Sequence, residues 1–426
     1  MSIAIIGAGY VGLPLAIAFS KHKSVFCYDI NKKRINELQN GVDSNKQHTN
    51  KEIKNKLLKF TNYVDTLKKK DIYIITVPTP INKKNKPDLT MLKNASLLVG
   101  KLIKKNSIII YESTTYPGCT ENFCIPLIEK TSKLKFGKDF NVGYSPERVN
   151  PGDKVNTLKN ITKIISASNN KTLKIIKKLY ETICKSTYST KNIIIAESAK
   201  VIENTQRDIN IAFVNELSVL FNKINIPTND VLKAASTKWN FHYYKPGLVG
   251  GHCISVDPYY LAYKAMKNNY SPELILSGRR FNEGMGKYVA NETKKLLLNN
   301  NVKISNSKIG ILGFSFKENI SDTRNTKIIQ IVSQLIKFKS TVRVFDSVAS
   351  DLDTKKNYKI NLHKFKDLKN FKFDVIILAV SHKEHLKKLA YYSRFYRDKK
   401  KKIFIDLKNN YSIYDLKKNN FKFFQL

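Results

Sequence analysis

The stretch SIAIIGAGYVGLPLAIAFSKHKSVFCYD, residues 2–29, decides the fold. Ser2 to Ile6 is a short β-rich apolar run, followed at once by Gly7-Ala8-Gly9-Tyr10-Val11-Gly12. Leu13 to Lys21 then reads as helix, and a second apolar run, Ser24 to Tyr28, ends at Asp29. Strand, glycine turn, helix and strand in this order are the opening of a dinucleotide-binding unit. In such a turn Gly7 permits the tight bend, Gly9 lets the backbone approach a pyrophosphate, and Gly12 allows helix and strand to pack closely. Asp29 stands where a carboxylate bonds the adenosine ribose hydroxyls, which favours NAD; Lys32, Lys33 and Arg34 follow it and keep NADP as the alternative. The cofactor-binding residues expected here are Gly7, Gly9, Tyr10, Val11, Gly12, Asp29 and Arg34.

Outward from this stretch the alternation continues. Apolar runs at Ile72 to Val77 and Ser107 to Tyr111 are separated by helical segments, the pattern of a parallel sheet covered on both faces. From Ala196 to about Asn222 the chain changes to a long amphipathic helix without Gly or Pro, its apolar Val201, Ile209, Ala212, Phe213, Leu217, Leu220 and Phe221 near helical spacing. A helix of this length bridges domains or packs against a second subunit. More helix is expected to about residue 300, interrupted by a loop from Pro246 to Asp257. Near Lys308 the strand and turn pattern restarts: Ile309 to Leu312, then Gly313, a helix from about Asn325, and strands at Thr341 to Phe345, Val375 to Val380 and Ile403 to Leu407. The expected fold is α/β, with two Rossmann-like parallel-sheet domains, 1–195 and 301–426, joined by a central helical region, 196–300, that holds the long helix.

At 426 residues the chain is long enough for two or three cores. Its net charge of +41, from 75 Lys+Arg against 34 Asp+Glu, raises nucleic acid or an anionic membrane as partner. The lysines are spread along the whole length instead of forming an arginine-rich arm with interleaved aromatics, so neither partner is expected, although phosphate-bearing substrates are attracted. Cys27, Cys119, Cys124, Cys184 and Cys253 are odd in number and are never spaced as CxxC or beside clustered histidines. That pattern indicates neither a disulfide framework nor a metal site and fits a reducing, cytoplasmic setting. The apolar start lacks a basic leader and carries its glycines for another use, so it reads as structure and not as a signal or anchor.

One cysteine stands apart. In GLVGGHCISVDPYYL, residues 247–261, Cys253 follows Gly250 and Gly251, with Asp257 four residues later and Pro258 next. If the segment is already helical at Cys253, thiol and carboxylate share a face; if the helix starts at Pro258, Asp257 is its N-cap. A nicotinamide enzyme with a poised thiol can oxidise an alcohol twice: the aldehyde is trapped as a thiohemiacetal, oxidised to a thioester, and released by water as an acid. The other four cysteines read as core residues.

These residues together resemble the nucleotide-sugar 6-dehydrogenases, the UDP-glucose and GDP-mannose dehydrogenase family, and more closely its UDP-N-acetylhexosamine branch in bacterial capsule and O-antigen synthesis. The resemblance covers essentially the whole chain. It is carried by IAIIGAGYVGLPLA at the start, VPTPI at 77–81, YESTTYPG at 111–118, YSPERVNPGD at 144–153, AKVIENTQRDINIAFVNE at 199–216, the 247–261 stretch, SGRRFNEGM at 277–285 and GFSFKENISDTRN at 313–325. It implies that Cys253 is the nucleophile, that Lys200 and Asn204 stabilise charge at the reacting oxygen, and that Asp257 organises water or proton transfers. It further implies that Thr114 lies near the reacting carbon and Glu147 serves thioester hydrolysis. Thr79 and Thr114 join the cofactor set. Substrate contacts are expected at Glu147, Arg148, Lys200, Asn204, Gly250 and, for the nucleotide diphosphate, Lys317 and Arg324; Arg279 or Arg280 would meet substrate or a neighbouring subunit. A UDP-sugar substrate, NAD, no metal, and a homodimer or higher oligomer are implied.

One departure bears on the substrate. UDP-glucose dehydrogenases typically carry a second glutamate four residues after the position of Glu147, where this chain has Pro151. With His252 beside the nucleophile, that is the pattern of the N-acetylhexosamine branch. Either UDP-GlcNAc or UDP-GalNAc is the expected substrate, with UDP-glucose 6-dehydrogenase the alternative. A non-catalytic nucleotide-binding protein is the remaining reading, and it would be marked by loss of Cys253, Lys200 or Asp257, all of which are present.

Overall fold

The computed structural model describes the chain from Met1 to Leu426 apart from residues 46, 150–152, 154 and 252; Pro151 and His252 therefore lie outside the described residues. The chain divides into two compact units, one of Met1–Asn204 with Tyr259–Ser271, the other of Thr205–Pro258 with Pro272–Leu426.

The first unit is built on eight strands: β1 Ser2–Ile6, β2 Ser24–Tyr28, β3 Leu58–Thr61, β4 Ile72–Ile75, β5 Ser107–Tyr111, β6 Phe140–Tyr144, β7 Thr162–Ala167 and β8 Ser186–Ser189. Their order in the sheet is β3-β2-β1-β4-β5-β6-β7-β8. All pairs are parallel except β6 with β7. The order reverses between β1 and β4, and in open α/β sheets the crevice at the carboxyl ends of such strands is where ligands bind. The central strands are apolar on both faces because helices cover both: β4 and β5 are buried at every residue. Ile3, Ile5, Leu13, Leu15, Phe19, Ile72, Ile74 and Ile110 lead the core on one side.

The second unit repeats the plan with β9 Lys308–Leu312, β10 Thr341–Phe345, β11 Leu362–His363, β12 Val375–Leu378, β13 Lys402–Asp406 and β14 Phe421–Gln425, ordered β11-β10-β9-β12-β13-β14. Every pair is parallel. Its two sides hold separate cores, an aliphatic one around Ile309, Ile311 and Ile377 and an aromatic one around Phe345, Phe373, Tyr392 and Phe404. The parallel with the first unit extends to the first turn. Gly313 at φ +96° donates its N–H to Phe345 O at 2.8 Å, and Asp346 accepts from Phe314 N at 2.7 Å, as Gly7 and Asp29 do with Tyr28 and Ala8. The two-sheet α/β architecture with one long helix is as the sequence indicated.

That helix runs Ile193–Lys223, slightly longer at both ends than expected, and is shared between the units at Asn204/Thr205. Val201 and Ala212 are buried, but Phe213 and Leu220 are 55% and 48% exposed. The helix expected from Asn325 begins only at Ile328, because residues 319–325 form a loop with Asn319 and Asn325 both at positive φ. Among the described residues no helix is long and apolar enough to cross a membrane.

Candidate active site

In the first unit the glycine turn has the geometry its spacing implies. Gly7 lies at φ +109°, and a Cβ there would meet Thr76 Oγ1 at 3.1 Å. A Cβ on Gly12 would lie 1.8 Å from Gly7 O, so helix and turn touch backbone to backbone. Gly9 is different: a Cβ there would meet no atom of the described residues within 4 Å. The protein's own packing leaves Gly9 unexplained, whereas a ligand resting on that backbone explains it. The helix Gly12–Ser20 that follows has no side-chain cap and no acidic residue in its first turn, which leaves its N-terminal N–H groups and dipole for an anion.

Asp29 accepts from Ala8 N at 2.8 Å and Asn31 N at 2.9 Å, and its remaining lone pairs can receive ribose hydroxyls. Arg34, buried, braces the turn from within: Nε donates to Ala8 O at 3.1 Å, Nη1 to Ser44 Oγ at 3.0 Å, and Nη2 pairs with Asp43 at 2.8 Å. Tyr10 and Val11 are half-buried on the turn. These groups fit a dinucleotide: open backbone for the pyrophosphate and a carboxylate for the ribose.

Thr79, Thr114, Glu147, Arg148, Lys200 and Asn204 belong to the same unit. Thr79 Oγ1 donates to Thr114 O at 2.7 Å, and Thr79 O accepts from Tyr260 Oη at 2.9 Å. Half-buried Glu147 accepts from Arg148 N at 2.7 Å and Val149 N at 2.5 Å through one oxygen. Arg148 reaches Thr162 O and pairs with Glu203 at 2.8 Å. Beneath this segment lies a polar cluster the sequence did not announce. Lys163, 0% exposed, donates to Pro146 O at 2.8 Å and to Glu112, which also accepts from Tyr180 Oη. Burial pushes Glu112 up to about 7, with Glu147's charge adding and Lys163 opposing. Lys200 is buried on the long helix and Asn204 half-buried one turn later.

Gly250, Cys253, Asp257, Arg279, Lys317 and Arg324 belong to the second unit. Cys253 is exposed, whereas the other four cysteines are buried. Asp257 N donates to Cys253 O at 2.9 Å and a helix runs Asp257–Lys267, so the chain is already turning at the cysteine and Asp257, 2% exposed, opens the helix. The two preceding glycines have different reasons. A Cβ on Gly250 would lie 3.0 Å from Asn325 O, and Gly251, at φ +81°, would press one against the Phe316 ring at 2.9 Å. Asn325 Nδ2 also donates to Gly251 O at 3.1 Å. The cysteine loop is thus seated on the 313–325 segment that bears exposed Lys317 and Arg324, the latter held by Asp322 through Nε at 3.0 Å. Arg279 is 1% exposed and pairs with Asp208 at 2.6 Å and with Glu283, while Arg280 is exposed.

Residues 1–184 match the NAD binding domain of the UDP-glucose/GDP-mannose dehydrogenase family, 195–284 its central domain and 310–413 its UDP binding domain. The chain belongs to the UDP-glucose/GDP-mannose dehydrogenase family. Over 386 residues it is 49% identical to UDP-N-acetyl-D-glucosamine 6-dehydrogenase of Salmonella typhi, with 90% of each chain covered. It is 47% identical over 398 residues to Protein CapL of Staphylococcus aureus, with 93% of each covered. Among solved structures, UDP-D-ManNAc dehydrogenase from Pyrococcus horikoshii is similar at a TM-score of 0.90 and 31% identity, with 100% of this chain and 99% of that one covered. As a member of this dehydrogenase family the protein is an NAD-dependent nucleotide-sugar dehydrogenase, and the glycine turn lies within the segment that matches the family's NAD binding domain.

The sequence reading passed over Glu112, Lys163 and Tyr260, and also Glu197, a fully buried carboxylate on the long helix that accepts from Thr115, Gly118 and Thr120. Glu197 had one signal, a carboxylate on the helical face that carries Lys200.

Proposed function

We propose that this dehydrogenase oxidises C6 of a UDP-N-acetylhexosamine to the carboxylate, consuming one water and two NAD+ per sugar without releasing the aldehyde. The supporting observation is the 49% identity, over nearly the whole of both chains, to a protein named for UDP-N-acetyl-D-glucosamine; that sugar nucleotide is the first to test and UDP-GalNAc the second. Bound NAD+ accepts the hydride in each oxidation. In this reading the Cys253 thiolate adds to the aldehyde, and oxidation of the thiohemiacetal gives the thioester. Lys200 and Asn204 stabilise the oxyanion, and Thr114 hydrogen-bonds near the reacting carbon. Glu147, its one oxygen fixed by two backbone N–H groups, deprotonates the water that cleaves the thioester, and Asp257 orders the proton transfers at Cys253. Lys317 and Arg324 hold the diphosphate.

The segments 1–195, 196–300 and 301–426 then serve NAD, the thiol and the UDP moiety. Phe213 and Leu220 expose apolar surface one heptad apart, which supports a homodimer, and exposed Ile195 and Ile202 repeat that spacing. The product belongs to cytoplasmic synthesis of a surface polysaccharide. NADH absorbance with UDP-GlcNAc, UDP-GalNAc and UDP-glucose in turn, counted per sugar consumed, tests the proposal. Two NADH with an acetamido sugar support it, and turnover of UDP-glucose alone overturns it. Cys253→Ala should still bind NAD and form no uronate; undiminished uronate formation refutes the thiol mechanism.

A further inference from the structure

Glu197 stands three residues before Lys200 and seven before Asn204 on the long helix, so the three side chains share one helical face. Glu197 is 0% exposed. A buried carboxylate is retained at a cost unless donors surround it. Four do, and all come from one short segment. Thr115 Oγ1 at 3.0 Å, Thr120 N at 2.9 Å and Thr120 Oγ1 at 2.7 Å converge on Oε1, and Gly118 N reaches Oε2 at 2.5 Å. Gly118 sits at φ +86°, a left-handed value that a side chain would strain. Burial raises the pKa of Glu197 while the four donors favour its charged form.

The segment that supplies these donors begins directly after Thr114. Thr114 is itself held through its carbonyl by Thr79 Oγ1, and Thr79 by Tyr260. Residues 114–120 are therefore fastened at one end to the strand-end loop beside the cofactor turn and at the other to the helix that bears Lys200 and Asn204. We propose that Glu197 is a positioning residue of the dehydrogenase: its carboxylate locks the 114–120 segment to the Lys200 and Asn204 face, fixing the Thr114 hydroxyl relative to that pair. The inference rests on the roles given above to Thr114 and Lys200. The carboxylate accepts from donors at both ends of the Thr115–Thr120 stretch, so its loss frees the segment next to Thr114 as well as leaving buried donors without a partner.

Glu197→Gln keeps the volume but turns one acceptor into a donor, so either Gly118 N–H or the Thr120 pair loses its partner. Misplacement of a catalytic group by about 1 Å costs on the order of 100-fold in rate. Steady-state NADH formation is measured with whichever of UDP-GlcNAc, UDP-GalNAc and UDP-glucose the wild-type enzyme turns over. The expected result is a fall in kcat of about 100-fold with both KM values within about threefold of wild type. Glu197→Asp, which keeps the charge on a shorter arm, should fold and lie between the two. Combined with Lys200→Met, either variant should cost less than the product of the separate effects, because both act on one alignment. Wild-type kcat in a folded Glu197→Gln or Glu197→Asp protein overturns the inference, as does strict multiplicativity with Lys200→Met. If Lys200→Met and Thr114→Val both retain wild-type kcat, the site assignment itself fails; if they abolish turnover while the Glu197 variants do not, only the positioning role fails.

Discussion

Alanine at Gly9 and alanine at Gly12 should have opposite signatures, although both remove a glycine from one turn. At Gly12 the new Cβ would lie 1.8 Å from Gly7 O, far inside the 3.0 Å that real Cβ contacts respect, so the helix must back away by more than an ångström. Forced displacement of packed backbone costs about 1–3 kcal/mol, and thermal stability and NAD affinity should fall together. At Gly9 the new Cβ meets no atom of the described residues within 4 Å, and the residue is not at positive φ. Gly9→Ala should therefore leave the fold intact or stabilise it by about 0.4–1 kcal/mol through the unfolded chain. In the proposed cofactor pose the methyl instead occupies the space over the backbone N–H groups that the pyrophosphate would take. Losing a hydrogen bond to a charged group costs about 2 kcal/mol, or roughly 30-fold in Kd. Calorimetric titration with NAD+, beside differential scanning calorimetry of the two variants, separates the cases. A Gly9→Ala protein with wild-type NAD affinity would refute the assignment of that open space to the cofactor. A Gly12→Ala protein as stable as wild type would refute the packing argument.

Asp43 gives a pH-dependent test of the same turn. Burial disfavours its charge, but the N–H groups of Gln47 and Asn45 and the Arg34 guanidinium outweigh burial and hold its pKa below the usual carboxylate value. Its contribution is thus present above the unfolded pKa of about 3.9 and is lost as pH falls through the lower folded value. Asp43→Asn should cost about 3 kcal/mol near pH 7 in urea unfolding and weaken NAD, with the gap to wild type closing in acid; a gap that widens in acid contradicts the ion pair. Gly251→Ala should distort the cysteine loop, because its φ of +81° and a Cβ 2.9 Å from Phe316 leave no relaxed conformation. Turnover should drop about tenfold or more with NAD binding to the first unit unchanged, and normal turnover would show that the loop tolerates the shift.

Much of this was legible locally. Gly7, Gly9, Gly12 and Asp29 lie within one strand, turn and strand, so their relation is fixed by backbone geometry over fewer than thirty residues. The central strands β1, β4, β5, β9, β12 and β13 were visible because burial on both faces forces nearly continuous apolar runs. The edge strands β3, β8, β11 and β14 were not. Half-exposed and short, as at Ser186–Ser189, they carry no such run, and only pairing with a neighbour makes them strands.

The sequence by itself determined the glycine turn, the two-sheet α/β architecture and the singling out of Cys253, since each is read from spacing within contiguous segments. Tertiary structure alone decided which polar groups were buried and what satisfied them. Arg34 reads as a cofactor residue in sequence, and the fold in addition engages its guanidinium with Ala8, Ser44 and Asp43. Glu197 and its donors are separated by nearly eighty residues, as are Arg279 and Asp208 by about seventy. No local pattern encodes such pairs, because the cost of burying a charge is met by partners that only the folded chain brings within reach.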